Sequence, residues 1–365
     1  MALLAVPQLL LFTLFSSGVF GVPWDRMSQS QVPAAEELSN SDVAIDFELY
    51  RIQYNKTYDP LEYAIRKAVY LENLLKIAQL NANKKNGVEY GVNELTDLTM
   101  QEFLATRANL KPEALAFVRS LPVVEPAFAT VQASSKDWRS ENKVTPIKNQ
   151  GSCGSCYTFS TCVGVESGHA IKHNTLTSLS EQQLLDCDRK SSGCNGGWMP
   201  NSLDSIIKRG GIMSSSDYPY EKRQRSCRFQ SRSVVAKVSD YQQFNSKAED
   251  EIARSVSASG PVINAICASD DFQHYRGGIY KDKDNKCKCS GGVNHAVAIV
   301  GYGTDDKEGE YWIIKNSWGT SWGEKGYMRI KKDRQLLGQA SYSFLCQRVK
   351  SEMSGSEAVD VNPLL

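Results

Sequence analysis

The sequence predicts an α+β protein in two modules, a helical front part and a cysteine-rich remainder that mixes helix and strand. Three observations carry this. From residue 47 to 80 the chain has no glycine and one proline, Pro60, and its apolar residues Leu61, Ile65, Ala68, Val69, Leu71, Leu75 and Ile77 recur at helical spacings. All ten cysteines lie between Cys153 and Cys346. Within that stretch an apolar periodic run follows Cys156, whereas VNHAVAIVGY and YWIIKN read as β-branched strands. A chain of 365 residues can bury a sizeable core. Its 41% hydrophobic and 23% charged residues exclude a disordered or multi-span membrane protein. A net charge of +1 carries no polyanion-binding footprint, so nucleic acid is excluded as the main partner.

The first 23 residues contain no charged side chain and include LLLFTLF over residues 9–15. Val19, Phe20 and Gly21 supply a cleavage context, so residues 1–21 read as a signal peptide. A membrane anchor needs about 20 strongly apolar residues, and Pro7, Ser16, Ser17 and Gly18 shorten this one. Entry into the secretory pathway, to a lysosomal or extracellular destination, permits disulfides. It also makes Asn55, in the sequon Asn55-Lys56-Thr57, a glycosylation candidate. Past Phe103 the helical pattern fades into KPEALAFVRSLPVVEPAFATVQASS, an extended linker. Residues 22–133 hold 11 Lys/Arg and 15 Asp/Glu, a net −4, against a net +5 on the remainder. Opposite signs favour association of the two modules, and protonation of those carboxylates would loosen it.

The chemistry lies in the second module. Glycines and serines before Cys156 suit a loop, which places Cys156 at a helix N-terminus, where free N–H groups favour a thiolate. The chain has four histidines. His169 and His173 read as a polar surface pair on one helix, and His274 sits in the loop-like DDFQHYRGG. His295 falls in a strand, where a polar residue among apolar neighbours needs a reason. Asn316, in YWIIKNSWG, offers an amide oxygen to orient an imidazole, and Trp318 an indole to shield that bond.

QGSCGSCYTF, CNGGW, VNHAV and KNSWG, in this order, resemble the papain-like cysteine proteases. Upstream, Glu62, Arg66, Tyr70, Asn73, Ile77 and Asn81 follow the ERFNIN pattern of the family's pro-segments, with Tyr in the Phe place. Gly91, Asn93, Leu95 and Asp97 follow the GNFD pattern, with Leu in the Phe place. This type of pro-segment resembles the cathepsin L-like branch. The resemblance covers residues 47 to about 330 and implies a two-lobe papain-like fold. A helical lobe would surround Cys156, and a β-barrel-like lobe would bear His295 and Asn316. The expected organisation is a signal peptide over 1–21, an inhibitory helical pro-segment over 22–130 and a peptidase domain over 131–365.

The roles it implies are Cys156 as nucleophile, His295 as its ion-pair partner and proton donor, and Asn316 as orienting residue. Gln150 and the Cys156 N–H would form the oxyanion hole, with Trp318 as cover. Gly197 and Asn294 would meet an extended substrate, although a glycine at 197 can equally serve a turn. Met199 and Ala265 would line an apolar pocket for the second residue before the cut, preferring Leu, Val or Phe; core packing is the rival reading of Ala265. Cys153–Cys194 and Cys187–Cys227 match two family disulfides. A third is open: Cys289 sits at one partner position, Leu337 occupies the other, and Cys346 is the substitute partner, for which Cys287 competes; Cys162 and Cys267 read as buried free thiols. Cys287, Cys289 and His295 suggest a disulfide rather than a metal site, and no cofactor is expected. No cysteine in the pro-segment and no His-bearing insertion between Cys194 and Cys227 leave endopeptidase as the activity. Protein or peptide substrates, the chain's own pro-segment and cystatin-type inhibitors are the implied partners of a monomer without a membrane anchor. The alternatives are a non-catalytic homologue that captures peptides and an inhibitor acting through the pro-segment alone. The last residues, RVKSEMSGSEAVDVNPLL, read as a disordered tail.

Overall fold

The computed structural model describes residues 40–82, 87–111, 133–244, 249–281, 293–332 and 343–350. The expected signal peptide over 1–21, most of the linker, the Cys287/Cys289 region and residues 351–365 lie outside these residues. The N-terminal module contains α1 (Asn40–Gln53), α2 (Pro60–Ala82), β1 (Val88–Tyr90) and α3 (Met100–Arg107). The cysteine-rich module follows with β2 (Lys136–Asp137), α4 (Cys156–His173), α5 (Glu181–Cys187), α6 (Met199–Arg209), β3 (Ile212–Met213) and β4 (Val234–Gln243). It continues with α7 (Glu249–Ala258), β5 (Val262–Ile266), β6 (Tyr275–Tyr280), β7 (His295–Asp305), β8 (Gly309–Lys315), β9 (Tyr327–Lys331) and β10 (Ser343–Lys350). Arg348, Val349 and Lys350, read from the sequence as the start of a disordered tail, are instead the end of β10, held by antiparallel pairing with β4. No helix among the described residues is long and apolar enough to cross a membrane.

The helical spacing read from the front module has a definite use. Glu62, Arg66, Tyr70, Asn73, Ile77 and Asn81 recur every three or four residues, so they share one face of α2. That face holds the segment from β1 to α3. Arg66 donates to the Asp97 carbonyl (3.1 Å) and to Glu102 (2.8 Å), and Asn73 donates to the Thr96 carbonyl at 2.7 Å. Asn81 makes paired bonds with the Tyr90 backbone, at 2.8 and 3.0 Å. Asp97 accepts from Tyr50, Lys56 and Tyr58, while Phe47, Tyr50, Tyr70 and Leu74 form a small aromatic core of their own. Thr99 and Glu102 cap the start of α3 reciprocally. Asn55 is exposed in the turn that follows α1.

One sheet runs through both modules, in the order β1-β6-β9-β8-β7-β5-β10-β4-β3, with β2 on β7. Its pairs are antiparallel except β6 with β9. The front module thus supplies the edge strand: β1 lies on β6 with Val88 opposite Gly278 and Tyr90 opposite Tyr275. The strands near the site are buried along most of their length, as the β-branched runs suggested. α4 packs across β7, β10 and β5, so Cys156 at its N-terminus and His295 at the start of β7 come from opposite sides of a cleft.

Two disulfides join Cys153 to Cys194 and Cys187 to Cys227. The second closes a sequence separation of 40. Its removal, as Cys187→Ala with Cys227→Ala, is expected to lower stability by about 3–4 kcal/mol. Denaturant unfolding measures this, and a loss under about 1 kcal/mol would show that hydrogen bonds alone restrain the loop. Cys267 is disulfide-bonded rather than a free thiol; its surroundings in sequence gave no sign of a partner within reach. Among the described residues Cys162 and Cys346 are free, as is Cys156, so Cys346 is not the disulfide partner the sequence reading offered it as.

Candidate active site

Cys156 begins α4 and is buried. Ser155 precedes it without a side-chain cap; the Thr158 N–H is taken by the Ser155 carbonyl at 2.9 Å, while the N–H groups of Cys156 and Tyr157 are directed at the thiol. On the facing wall, the His295 Nε2 lies 2.8 Å from Asn316 Oδ1. The same oxygen accepts the Ser317 N–H at 2.8 Å, which fixes it as the carbonyl oxygen of the amide. An oxygen that only accepts requires Nε2 to carry the proton. Nδ1 is therefore the nitrogen free for chemistry, and it has no hydrogen-bond partner among the described residues. Trp318 stacks on the ring at 4.6 Å between centroids and 30°, excluding water from the His295–Asn316 bond. Gln150 is set beside this pair: its N–H donates to the Ser317 carbonyl (2.9 Å), and its Oε1 accepts from the Ser317 hydroxyl (2.7 Å). Cys156, His295, Asn316, Gln150 and Trp318 are thus brought together.

The cleft is filled by the front module. Gln150 Nε2 donates to the carbonyls of Cys153 (2.9 Å), Thr106 (3.2 Å) and Arg107 (3.3 Å), the last two at the C-terminal end of α3. The Leu110 N–H then donates to the Asn294 carbonyl at 2.7 Å, and the Lys111 N–H to the Gly197 carbonyl at 3.0 Å. The carbonyls of Gly197 and Asn294 thus each accept a backbone N–H of the front module. Glycine is needed there for close approach: a Cβ at Gly196, where φ is +102°, would lie 2.1 Å from the Asn109 carbonyl, and one at Gly197 2.6 Å from the Tyr157 ring. Leu110 is buried in the apolar cluster that contains Met199, Ala265, Val293 and Ala296. Ala265 is wholly buried in that cluster, as core packing of this residue requires.

Burial sets the electrostatics. It pushes the Cys156 thiol up to about 12, against the backbone N–H groups of Ala296, Tyr157 and Asn109, which favour the thiolate. It pushes His295 down to about 4, opposed by Asn316 and by the Arg107 carbonyl. With the front module in the cleft, thiol and imidazole are both held neutral.

Several supports carried no sequence signal. Lys315 donates to the Thr145 carbonyl (2.6 Å), and Thr145 to Glu166 (2.6 Å). Glu166 pairs with Lys148 at 2.7 Å. This buried network ties the end of β8 and residues 145–148 to α4, fixing Asn316 and Gln150 relative to Cys156. Burial lowers Lys315 to about 8, with Glu166 opposing. Tyr220 bonds the Ser155 hydroxyl (2.7 Å) and the Gln150 carbonyl (2.8 Å). Partners tens of residues apart leave no local pattern to read. His169 corrects the sequence reading: it is buried, with its ring packed on His173 at 4.7 Å, because that face of α4 turns inward. His274 is buried too, as the last residue of the 3₁₀ turn that leads into β6.

Residues 132–346 match the papain family cysteine protease model, and residues 47–103 match the cathepsin propeptide inhibitor domain (I29). The chain is 37% identical over 302 residues to the viral cathepsin of Autographa californica nuclear polyhedrosis virus, covering 80% of this chain and 88% of that one. It is 36% identical to cysteine proteinase 1 of Dictyostelium discoideum, covering 92% and 96%. Among solved structures, digestive procathepsin L 3 of the Tenebrio molitor larval midgut superposes with a TM-score of 0.75 at 37% identity, covering 83% of this chain and 98% of that one.

Proposed function

Since the chain belongs to the papain family of cysteine proteases and carries the family's propeptide inhibitor domain, we propose that it is an acid-activated endopeptidase of the secretory pathway whose nucleophile is Cys156. The observation that carries this is the single free nitrogen of His295, Nδ1, left on the cleft side by the Asn316 bond. With the cleft open, Nδ1 takes the thiol proton, giving a thiolate and an imidazolium. The thiolate attacks the peptide carbonyl carbon, and the displaced electron pair settles on oxygen, between Gln150 Nε2 and the Cys156 N–H. His295 returns its proton to the leaving nitrogen as the C–N bond breaks, leaving a thioester. A water, deprotonated by His295, then releases the acid and restores the thiol.

The pro-segment fits this reading as an inhibitor that is not cut. Its numbering rises from Gln150 (Thr106, Arg107) toward Gly197 (Lys111). A substrate with its second residue before the cut at Gly197 and its scissile carbonyl at Gln150 runs the opposite way. Helix carbonyls already satisfy Gln150, and the neutral Cys156–His295 pair lacks a nucleophile. Leu110, packed with Met199 and Ala265, supports a preference for Leu, Val or Phe two residues before the cut. The leader over 1–21, the pro-segment over 22–130, a glycan on Asn55, a monomeric state and sensitivity to cystatin-type inhibitors complete the proposal, with lysosomal or extracellular delivery.

The test is intact mass after holding the precursor at about pH 4.5 with thiol, with and without an epoxide thiol trap. Loss of about the first 130 residues, one adduct on Cys156 and none on Cys162 or Cys346 are expected, with fluorogenic peptides then ranking Leu, Val and Phe above charged residues. A folded protein that neither processes nor labels would be a peptide-binding homologue.

A further inference from the structure

We propose that His274 is the acid trigger of this precursor: protonation of its imidazole, buried under the docked pro-segment with neither ring nitrogen hydrogen-bonded among the described residues, loosens the pro-segment from the catalytic module. The inference rests on the pro-segment acting as inhibitor, and it names the group that makes docking depend on pH.

Histidine is the side chain whose ordinary pKa falls between neutral and acidic compartments, and all four histidines of this chain lie outside the pro-segment. His274 sits where the pro-segment grips. The Gly91 N–H donates to the His274 carbonyl (2.9 Å), Asn93 to the Gln273 carbonyl (2.8 Å), and Gln273 to the carbonyls of Leu95 (2.7 Å) and Leu98 (2.9 Å). Just beyond, Tyr90 pairs with Tyr275 as β1 joins β6. The charged and titratable groups around it come from both sides. The pro-segment contributes Lys76 of α2 and Tyr90 of β1. The catalytic module contributes Asp270, which pairs with Lys76 at 2.9 Å, and Asp271, which accepts from Tyr90 (3.4 Å) and Tyr280 (2.9 Å). An imidazolium here would be desolvated, would face Lys76 as a like charge, and would compete with it for Asp270.

Burial, then Lys76, hold the docked ring neutral and push its pKa down to about 3, with Asp270 opposing. An undocked, solvated histidine titrates near ~6.5. The docked state therefore binds fewer protons. Docking is insensitive to this group above pH ~6.5 and weakens about tenfold per unit below it until the docked pKa is reached. Between pH 7 and 4.5 the loss is about a hundredfold. His295 is also buried and neutral, so His274 must be isolated by substitution.

The experiment uses the full-length Cys156→Ala precursor, which cannot cleave itself and needs no peptidase activity to report. Amide hydrogen exchange of β1, corrected for the intrinsic rate, gives the opening constant between pH 7 and 4.5. His274→Phe and His274→Gln are expected to match the parent at pH 7 and to lose about a hundredfold of its rise at pH 4.5. An unchanged slope in both variants would assign release to the carboxylates or to His295 and overturn the proposal. Imidazole NMR of the parent decides independently of how the variants fold: His274 should stay neutral to about pH 4 while docked, and titration near ~6.5 would sink the idea.

Discussion

Cys156→Ala is expected to leave the precursor folded and uncut, with peptide turnover reduced on the order of 10⁶-fold, to the assay floor. The chain has three free thiols among the described residues, and the other two cannot substitute. Cys162 lies further along α4, where burial and Glu181 hold its thiol well above the ordinary range. Burial likewise pushes Cys346 up to about 12, with no N–H groups or imidazole to counter it. Cys156 alone sits at an uncapped helix start, beside Gln150 and opposite His295. Alanine is the best helix former, and losing one sulfur atom leaves a void worth about 1 kcal/mol, so lost activity would not be lost fold. Fluorogenic peptide cleavage and intact mass after acid incubation measure it. Turnover within tenfold of the wild type would remove Cys156 from the nucleophile role.

The site was legible wherever the chemistry is local in sequence. A glycine- and serine-rich loop running into an apolar periodic stretch places Cys156 at a helix start, and a polar residue inside a β-branched run singles out His295. The spacing on α2 was legible for the same reason, because one helix face repeats every three or four residues. What depends on distant partners was not. The Lys315–Thr145–Glu166–Lys148 network joins three separate segments, and no window of sequence contains it. The disulfide at Cys267 and the burial of His169 are tertiary facts of the same kind.

Charge was legible in total and misleading in detail. Net charges of −4 and +5 suggested that acidic pro-segment side chains meet basic partners across the interface. Among the described residues, the pro-segment carboxylates are instead used within their own module. Asp97 takes Lys56 and two tyrosines, and Glu102 takes Arg66. Glu94 does reach across, but to the neutral amide of Asn149 at 3.0 Å. The crossing ion pair Lys76–Asp270 has the opposite polarity, with its cation on the pro-segment. Acid protonation of pro-segment carboxylates would thus act first on the module's own fold. This directs attention to buried neutral groups at the interface as the pH-sensitive elements.

Phe103→Ala is expected to have the second-largest effect, raising the fraction of open precursor at pH 7 by roughly 150- to 4000-fold. Phe103 is wholly buried, and its ring meets Trp318 edge-on at 5.1 Å, directly over the indole that stacks on His295. Its core cluster is largely built by the catalytic module, including Trp318, Trp322 and Tyr275. Truncating a buried phenylalanine costs about 3–5 kcal/mol, and here the cost falls on docking because the contacts are made only when docked. At about 1.4 kcal/mol per tenfold, this gives the stated range. Phe47→Ala is the contrast, since Phe47 packs against Tyr50 and Tyr70 inside the pro-segment itself. The readout is the rate at which an epoxide trap labels Cys156 in intact precursor at pH 7, where labelling waits on opening. Phe103→Ala should speed labelling while α1 and α2 keep their helical signal, whereas Phe47→Ala should speed it only with loss of that signal. Labelling at the wild-type rate in Phe103→Ala would mean that the backbone bonds to Gln150, Asn294 and Gly197 hold the cleft closed without the Trp318 contact.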